Sequence, residues 1–289
     1  MRRIAATTVV LTGALLVGCA QDGESSTGAA SPTPTSAAPT SAAPAADAAA
    51  LAGQIERATT DRPTLRVALD TKVSGAAGQA RVRMQGAIRT ASAGQAEMDL
   101  KTTTTENGKT EAGRLVVLDG VFYVQQGDEE VAPGKPWLRM SRADLAALDN
   151  AQLKAAMQQL FDQMDQSVRD ASPAQNLALV QKGRFTATPK PETVQGKAVT
   201  RYEGSTEVGA LAGEEQYEQL RELGVTRLPW TIWVDPEGLP TQFGMTLPLR
   251  TAKGTVRTVS AAVYSDWGKP VTIQAPPAAQ VATFADLGG

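Results

Sequence analysis

Histidine does not occur in this sequence, and cysteine occurs once. Without imidazole there is no Ser-His-Asp or Cys-His catalysis and no histidine-ligated metal, and a lone thiol cannot close a disulfide within the chain. Aromatic residues are scarce, at 4% of 289, so the core has to be assembled from Val, Leu, Ile, Met and Ala. Neither sign of charge dominates: 28 Lys and Arg against 30 Asp and Glu give a formal net charge of -2. The basic residues are dispersed along the chain, which removes the footprint expected of a nucleic-acid partner. No metal and no cofactor is expected.

The one cysteine has a telling position. A short basic start, Arg2 and Arg3, is followed by an apolar run from Ile4 to Val17 that ends in Leu16-Val17-Gly18-Cys19. This layout is that of a secretory signal, and its last four residues resemble the bacterial lipobox. That resemblance implies lipidation of the Cys19 thiol and cleavage on its amino side, so residues 1–18 are expected to be signal peptide. An ordinary secretory signal or a transmembrane anchor are the alternatives. The second fits poorly, because the run is too short to span a ~30 Å hydrocarbon core. One acyl chain holds a protein at a membrane only marginally, so two or three on one cysteine are what stable anchoring needs.

From Ala20 to about Ala50 the chain is rich in Pro, Ala, Ser and Thr, as in Ser31-Pro32-Thr33-Pro34-Thr35. Such sequence has nothing to bury, and residues 19–50 are read as the lipidated cysteine and a disordered tether. It would reach roughly 30 Å as a coil and about 95 Å if fully extended as polyproline. Residues 51–289 are then one domain, of a size that supports its own core.

Within that domain the hydrophobic pattern changes period. Ala48–Thr59 carries Leu51 and Ile55 four apart, a short amphipathic helix. Three runs then alternate. Val67, Leu69, Thr71 and Val73 oppose Arg66, Asp70 and Lys72; Val82, Met84, Gly86 and Ile88 oppose Arg81, Arg83 and Arg89; Met98 and Leu100 oppose Glu97, Asp99 and Lys101. Each is a half-buried strand. Asn107-Gly108 and Asp119-Gly120 are hairpin turns, and the whole reads as an antiparallel meander.

Helices interrupt it. Ser141, with Asp144 three residues on, caps a long helical pattern containing Leu145, Met157, Leu160, Phe161 and Met164. Pro173 starts a short helix, and a third runs from Glu214 to Leu223 before Gly224. Strands resume to give about ten in all; in Thr241–Leu249, Phe243, Met245 and Leu247 share a face. The expected class is α+β, a curved antiparallel sheet with helices packed over its concave face. For any single residue the ordinary expectation is a packed α+β core, but methionine adapts to variable apolar shapes, and its repeated use on inward positions keeps open an apolar cavity between the layers.

Two late segments, Leu228-Pro229-Trp230-Thr231-Ile232-Trp233-Val234-Asp235-Pro236-Glu237-Gly238-Leu239-Pro240 and Val263-Tyr264-Ser265-Asp266-Trp267-Gly268-Lys269-Pro270-Val271-Thr272-Ile273, together with the lipobox and linker, resemble the actinobacterial LppX/LprA/LprF/LprG lipoproteins, which are similar in turn to the LolA/LolB fold. The resemblance implies a half-barrel that holds an acylated lipid or glycolipid and moves it across the cell envelope. It implies a place on the outer face of the cell membrane, with an envelope lipid exporter as partner. It supplies no catalytic signature. From alternation alone, the lipid-facing candidates are Val67, Leu69, Val82, Met84, Ile88, Met98, Leu100 and Met245 on the sheet, and Leu160, Phe161 and Met164 on the helices.

The rival reading is an envelope scaffold or signalling lipoprotein with a solid core and a protein partner. An enzyme is not expected, since pairs such as Glu129-Glu130 look like solvated charge and no nucleophile-base spacing stands out. Replacing Cys19 by Ser is expected to leave an uncleaved precursor without diacylglycerol, checked by the mass of the N-terminal peptide. Lipid on the Cys19→Ser protein would refute the lipobox.

Overall fold

The structure is a computed structural model, and it describes residues 44–76, 78–90, 96–146, 173–211, 215–251 and 254–287, with residues 151–162 in part. The signal, Cys19, most of the tether, Leu160 and Met164 lie outside the described residues. No helix among the described residues is long and apolar enough to cross a membrane.

Thirteen strands form one sheet among the described residues, in the order β13-β6-β5-β4-β3-β2-β1-β12-β11-β10-β9-β7, with β8 also on β9. The first four are β1 (Thr64–Gly75), β2 (Gly78–Thr90), β3 (Ala96–Glu106) and β4 (Lys109–Leu118). Then come β5 (Val121–Gln126), β6 (Trp137–Met140), β7 (Arg184–Phe185), β8 (Lys190–Val194) and β9 (Lys197–Glu207). The last four are β10 (Arg227–Val234), β11 (Pro240–Thr251), β12 (Gly254–Ser265) and β13 (Val281–Ala282). All pairings are antiparallel except β13 with β6.

Turn chemistry sets the meander. Asn107-Gly108, Asp119-Gly120 and Gln195-Gly196 all have positive φ at both positions, at 48° and 82°, 52° and 72°, and 51° and 76°. That is the two-residue turn whose twist matches the strands it joins. Register follows the hydrophobic pattern: Leu65 faces Ile88, Leu69 faces Met84, and Ile88 faces Met98. The expected alternation in the first three strands is therefore the observed one.

Helices cover one face. In α1 (Ala48–Thr60) the Asp47 carboxylate caps the Ala50 N–H at 2.8 Å, and Ala48, Leu51, Ala52 and Ile55 are buried. The tether assigned to residues 19–50 is thus cut back, because Ala48–Ala50 are the first turn of α1 and Ala45 is already buried. In α2 (Arg142–Ala146), Ser141 Oγ accepts from the Asp144 N–H at 3.2 Å, as its spacing predicts. The described residues of 151–162 are helical. Helix α3 (Pro173–Gln181) packs against α1, and α4 (Glu215–Glu222) ends at Gly224 with φ of 77°. A chain of buried bonds locks α3 down: Trp230 Nε1 donates to Thr206 Oγ1 at 3.0 Å, which donates to the Leu179 carbonyl at 2.7 Å.

The sheet is an open, curled half-barrel. Nine strand spacings separate β6 from β9, roughly 43 Å if flat, yet Phe122 and Met140 belong to one contiguous core with α1, Tyr202 and Trp230. Glycine permits the bend. A Cβ on Gly86 would lie 1.9 Å from the backbone oxygen of Asp99 on β3, and one on Gly204 would lie 2.1 Å from the Trp230 ring.

The convex face carries paired charge. Arg114 binds Asp99 with two bonds of 2.8 and 2.6 Å, and Arg81 and Arg83 flank Asp70. Exposed pairs of this kind contribute about 0–1 kcal/mol each and chiefly mark which face meets water. The chain after β12 passes back along the sheet to its far edge, where Val271, Ile273 and Val281 pack on Val116, Trp137 and Tyr123.

Gly86→Ala is expected to destabilise the protein by about 3 kcal/mol, at the top of the usual overpacking range, because backbone has to move. Gly209→Ala, where a Cβ meets nothing within 4 Å, should stay within roughly 0.5 kcal/mol. Urea midpoints of the two variants test the bend.

Candidate functional site

The concave face is apolar at one end of β1 to β3 and mixes Thr with apolar residues toward the other, and its depth varies along the strands. At one end of the first three strands Leu65, Val67, Ile88, Met98 and Leu100 are all buried, whereas on β11 burial runs along Phe243, Met245 and Leu247, level through β12 with Leu69, Thr71 and Val73. Phe161 reaches this core from the helical layer and meets Phe122 edge-on, with ring centres 4.8 Å apart. Of the lipid-facing candidates, the structure therefore brings together Val67, Ile88, Met98, Leu100, Phe161 and Met245 in one packed cluster.

Leu69, Val82 and Met84 are on the same face but only half-buried. Facing or neighbouring them are Thr71, Thr102 and Thr104, with Leu115, Val124 and Leu249 half-buried further round the sheet. Orientation and depth are thus separate properties. Met84 and Met98 share a face, as their register requires, yet Met98 has no exposure at all while Met84 retains some.

Polar groups on this face are few and individually placed. Asn176 on α3 donates to Tyr264 Oη at 2.8 Å, and burial pushes the Tyr264 phenol above its usual pKa. Tyr202 Oη accepts from the Ala45 N–H at 3.3 Å, tying the start of the domain to β9. Ser260 is 1% exposed and its Oγ has no hydrogen-bond partner. A buried hydroxyl left unpaired costs about 1–3 kcal/mol. Alternation places Ser260 inward but carries no sign that its hydroxyl is unpartnered, so sequence reasoning passed over it.

Two further hollows lie elsewhere. A cleft of about 800 Å³ opens between the C-terminal half of α1, the β8-β9 hairpin and the β10-β11 turn, lined by Arg57, Glu192, Thr200 and Asp235 among others. Asp235 is occupied structurally: its Oδ1 accepts from the Glu237 and Leu239 N–H groups, both at 2.9 Å. Burial raises its carboxyl above the ordinary value. A smaller hollow of about 430 Å³ sits on the convex face over Ala68, Ala261 and Val263, rimmed by Asp70, Arg83 and Lys101. Neither is the apolar cavity expected between sheet and helices.

No family model matches the sequence. A Streptomyces coelicolor protein described as "Putative lipoprotein SCO4650" is 27% identical over 175 residues, which are 59% of this chain and 50% of that protein. The chain thus spans half the length of the curated relative it matches. Among solved structures, LprF from Mycobacterium bovis is similar over 79% of this chain and 96% of its own, at 14% identity and a TM-score of 0.45. The Mycobacterium tuberculosis lipoprotein LppX is similar over 78% of this chain and 98% of its own, at 14% identity and a TM-score of 0.41. At such values the likeness carries no functional weight.

The difference in depth gives a direct test of packing. Met98→Trp is expected to cost about 1–3 kcal/mol by overpacking, whereas Met84→Trp should stay within about 0.5 kcal/mol. Denaturant midpoints read both; equal losses would mean that the two positions are equally enclosed.

Proposed function

We propose that this protein is a membrane-anchored lipoprotein, held by Cys19 on the outer face of the cell membrane, whose half-barrel carries an acylated lipid across the envelope. The observation that supports this most is the continuation of the apolar concave face beyond its packed part. Leu69, Val82 and Met84 form a half-buried apolar patch interleaved with Thr71, Thr102 and Thr104, next to the row in which Val67 and Leu100 are packed and Leu115 and Val124 are half-buried. An acyl chain laid on it removes apolar area from water at about 25 cal/mol per Å², and the head stays outside. Binding is passive in this reading and needs no catalytic group. Delivery and removal fall to membrane partners, of which an envelope lipid exporter is one.

A scaffold with a protein partner is the second reading, and one observation favours it. Ile88, Met98 and Leu100 are each no more than 1% exposed, so the face beneath the helices is filled. The two readings part on what the protein holds. The full chain, purified from its envelope and extracted with organic solvent, should release acylated lipid seen by mass spectrometry, and Met84→Trp should release less at an unchanged Tm. A protein that yields no lipid, before or after incubation with diacylated lipid, leaves only the scaffold.

A further inference from the structure

Charge on the convex face is balanced in one half only. Toward one end of the strands Arg66 pairs with Asp266, Arg89 with Glu97 and Arg114 with Asp99. In the half toward the β1-β2 turn, register gathers basic residues that are scattered in sequence: Lys72 on β1, Arg81 and Arg83 on β2, Lys101 on β3, Arg250 on β11 and Arg257 on β12. Asp70 is the one acid among the described residues of that half. Arg81 binds it and Arg83 lies 3.6 Å away. The Arg81 guanidinium, by hydrogen bond and by charge, holds the Asp70 carboxyl below its usual value, with Lys72 and Arg83 adding to the effect. Lys72, Lys101, Arg250 and Arg257 enter no ion pair among the described residues.

We infer that this half of the convex face is a docking surface for an anionic phospholipid bilayer, on which the domain rests with its concave face and helices turned outward. The inference rests on the membrane anchoring proposed above, which keeps the domain beside a bilayer. Breadth selects the partner. The cations span five adjacent strands, β11-β12-β1-β2-β3, about 20 Å across at four strand spacings, and they stand on an outward-curving surface, not in a groove that would grip a single acidic segment. Lys72 lies directly opposite Arg81, and like charges so placed repel until an anion lies over them. The hollow of about 430 Å³ sits inside this patch, floored by Ala68, Ala261 and Val263, with Arg83, Lys101 and Asp70 at its rim. Its small floor leaves room for a headgroup phosphate between Arg83 and Lys101, while Asp70 is held by Arg81. Each Lys or Arg close to an anionic leaflet adds to the attraction, and salt screens it.

The test reconstitutes the lipidated full chain in vesicles of phosphatidylcholine alone, or of phosphatidylcholine and phosphatidylglycerol in equal parts, and treats both with an amine-acylating reagent. Mass spectrometry reads which lysines react. The anchor is the same in both vesicles, so a difference reports docking. Lys72 and Lys101 should react more slowly on the phosphatidylglycerol vesicles, and the exposed Lys197 at the start of β9 equally on both. Salt at about 1 M, where charges are screened within ~3 Å, should abolish the difference. Arg250→Gln with Arg257→Gln breaks no described ion pair and should weaken docking roughly 25-fold at an unchanged Tm, since each cation near such a surface is worth about fivefold. Equal reaction on both vesicles overturns the inference and leaves the anchor intact. Protection by soluble polyglutamate but by neither vesicle assigns the patch to an acidic protein and overturns it likewise. Association with phosphatidylglycerol vesicles alone, with both lysines protected, sinks the anchor and upholds the docking surface; association with neither vesicle overturns both.

Discussion

A sheet with one apolar face and one charged face must curl if it is to bury the first and wet the second. Everything in this structure follows from that constraint. Thirteen strands laid flat would offer far more apolar surface than the described helices, α1 with 13 residues among them, could cover. Curling brings the two flanks toward a shared core, and it is possible because residues with no Cβ sit where backbone or ring must come close. Gly86 lets β2 and β3 approach, and Gly204 gives the Trp230 indole its seat. The Trp230–Thr206–Leu179 chain then fixes α3 to the curved surface. Curvature, helix docking and core are one solution to a single problem.

Much of this was legible in residue order. Alternation in residues 64–73, 80–89 and 96–102 gave the orientation of each strand, because no charged residue falls on the apolar face there, and the Asn-Gly and Asp-Gly pairs marked their turns. Strands β6, β8 and β13 left no comparable trace. They span 4, 5 and 2 residues at the edges of the sheet, too few for a period to be counted. The parallel pairing of β13 with β6 depends on a return path that no local pattern encodes. The Pro270-Val271-Thr272-Ile273 stretch stood out as a motif, and its physical role is the cover it gives Val116 and Trp137 on the convex side.

The candidate site was legible in direction and not in depth. Period two says which way Met84 and Met98 point, but enclosure depends on what packs above them, a property of distant residues. The same limit hid Ser260, since an unpaired hydroxyl can be recognised only once all of its surroundings are placed. Composition was right that the core is aliphatic, yet the few rings present are concentrated: Phe122 with Phe161, and Phe185 with Tyr202 and Trp230, brace the two flanks of the half-barrel.

The seam between β1 and β12 has a temporal meaning. Arg66 pairs with Ser265 and Leu69 with Ala262, so the first strand synthesised waits for almost the last before its outer edge is satisfied. Contacts this distant in sequence slow folding, because loop entropy is lost before they form. If the chain crosses a membrane N-terminus first, as the proposed anchoring would require, such a seam would act as a timer, keeping the half-barrel open until its final strands had crossed.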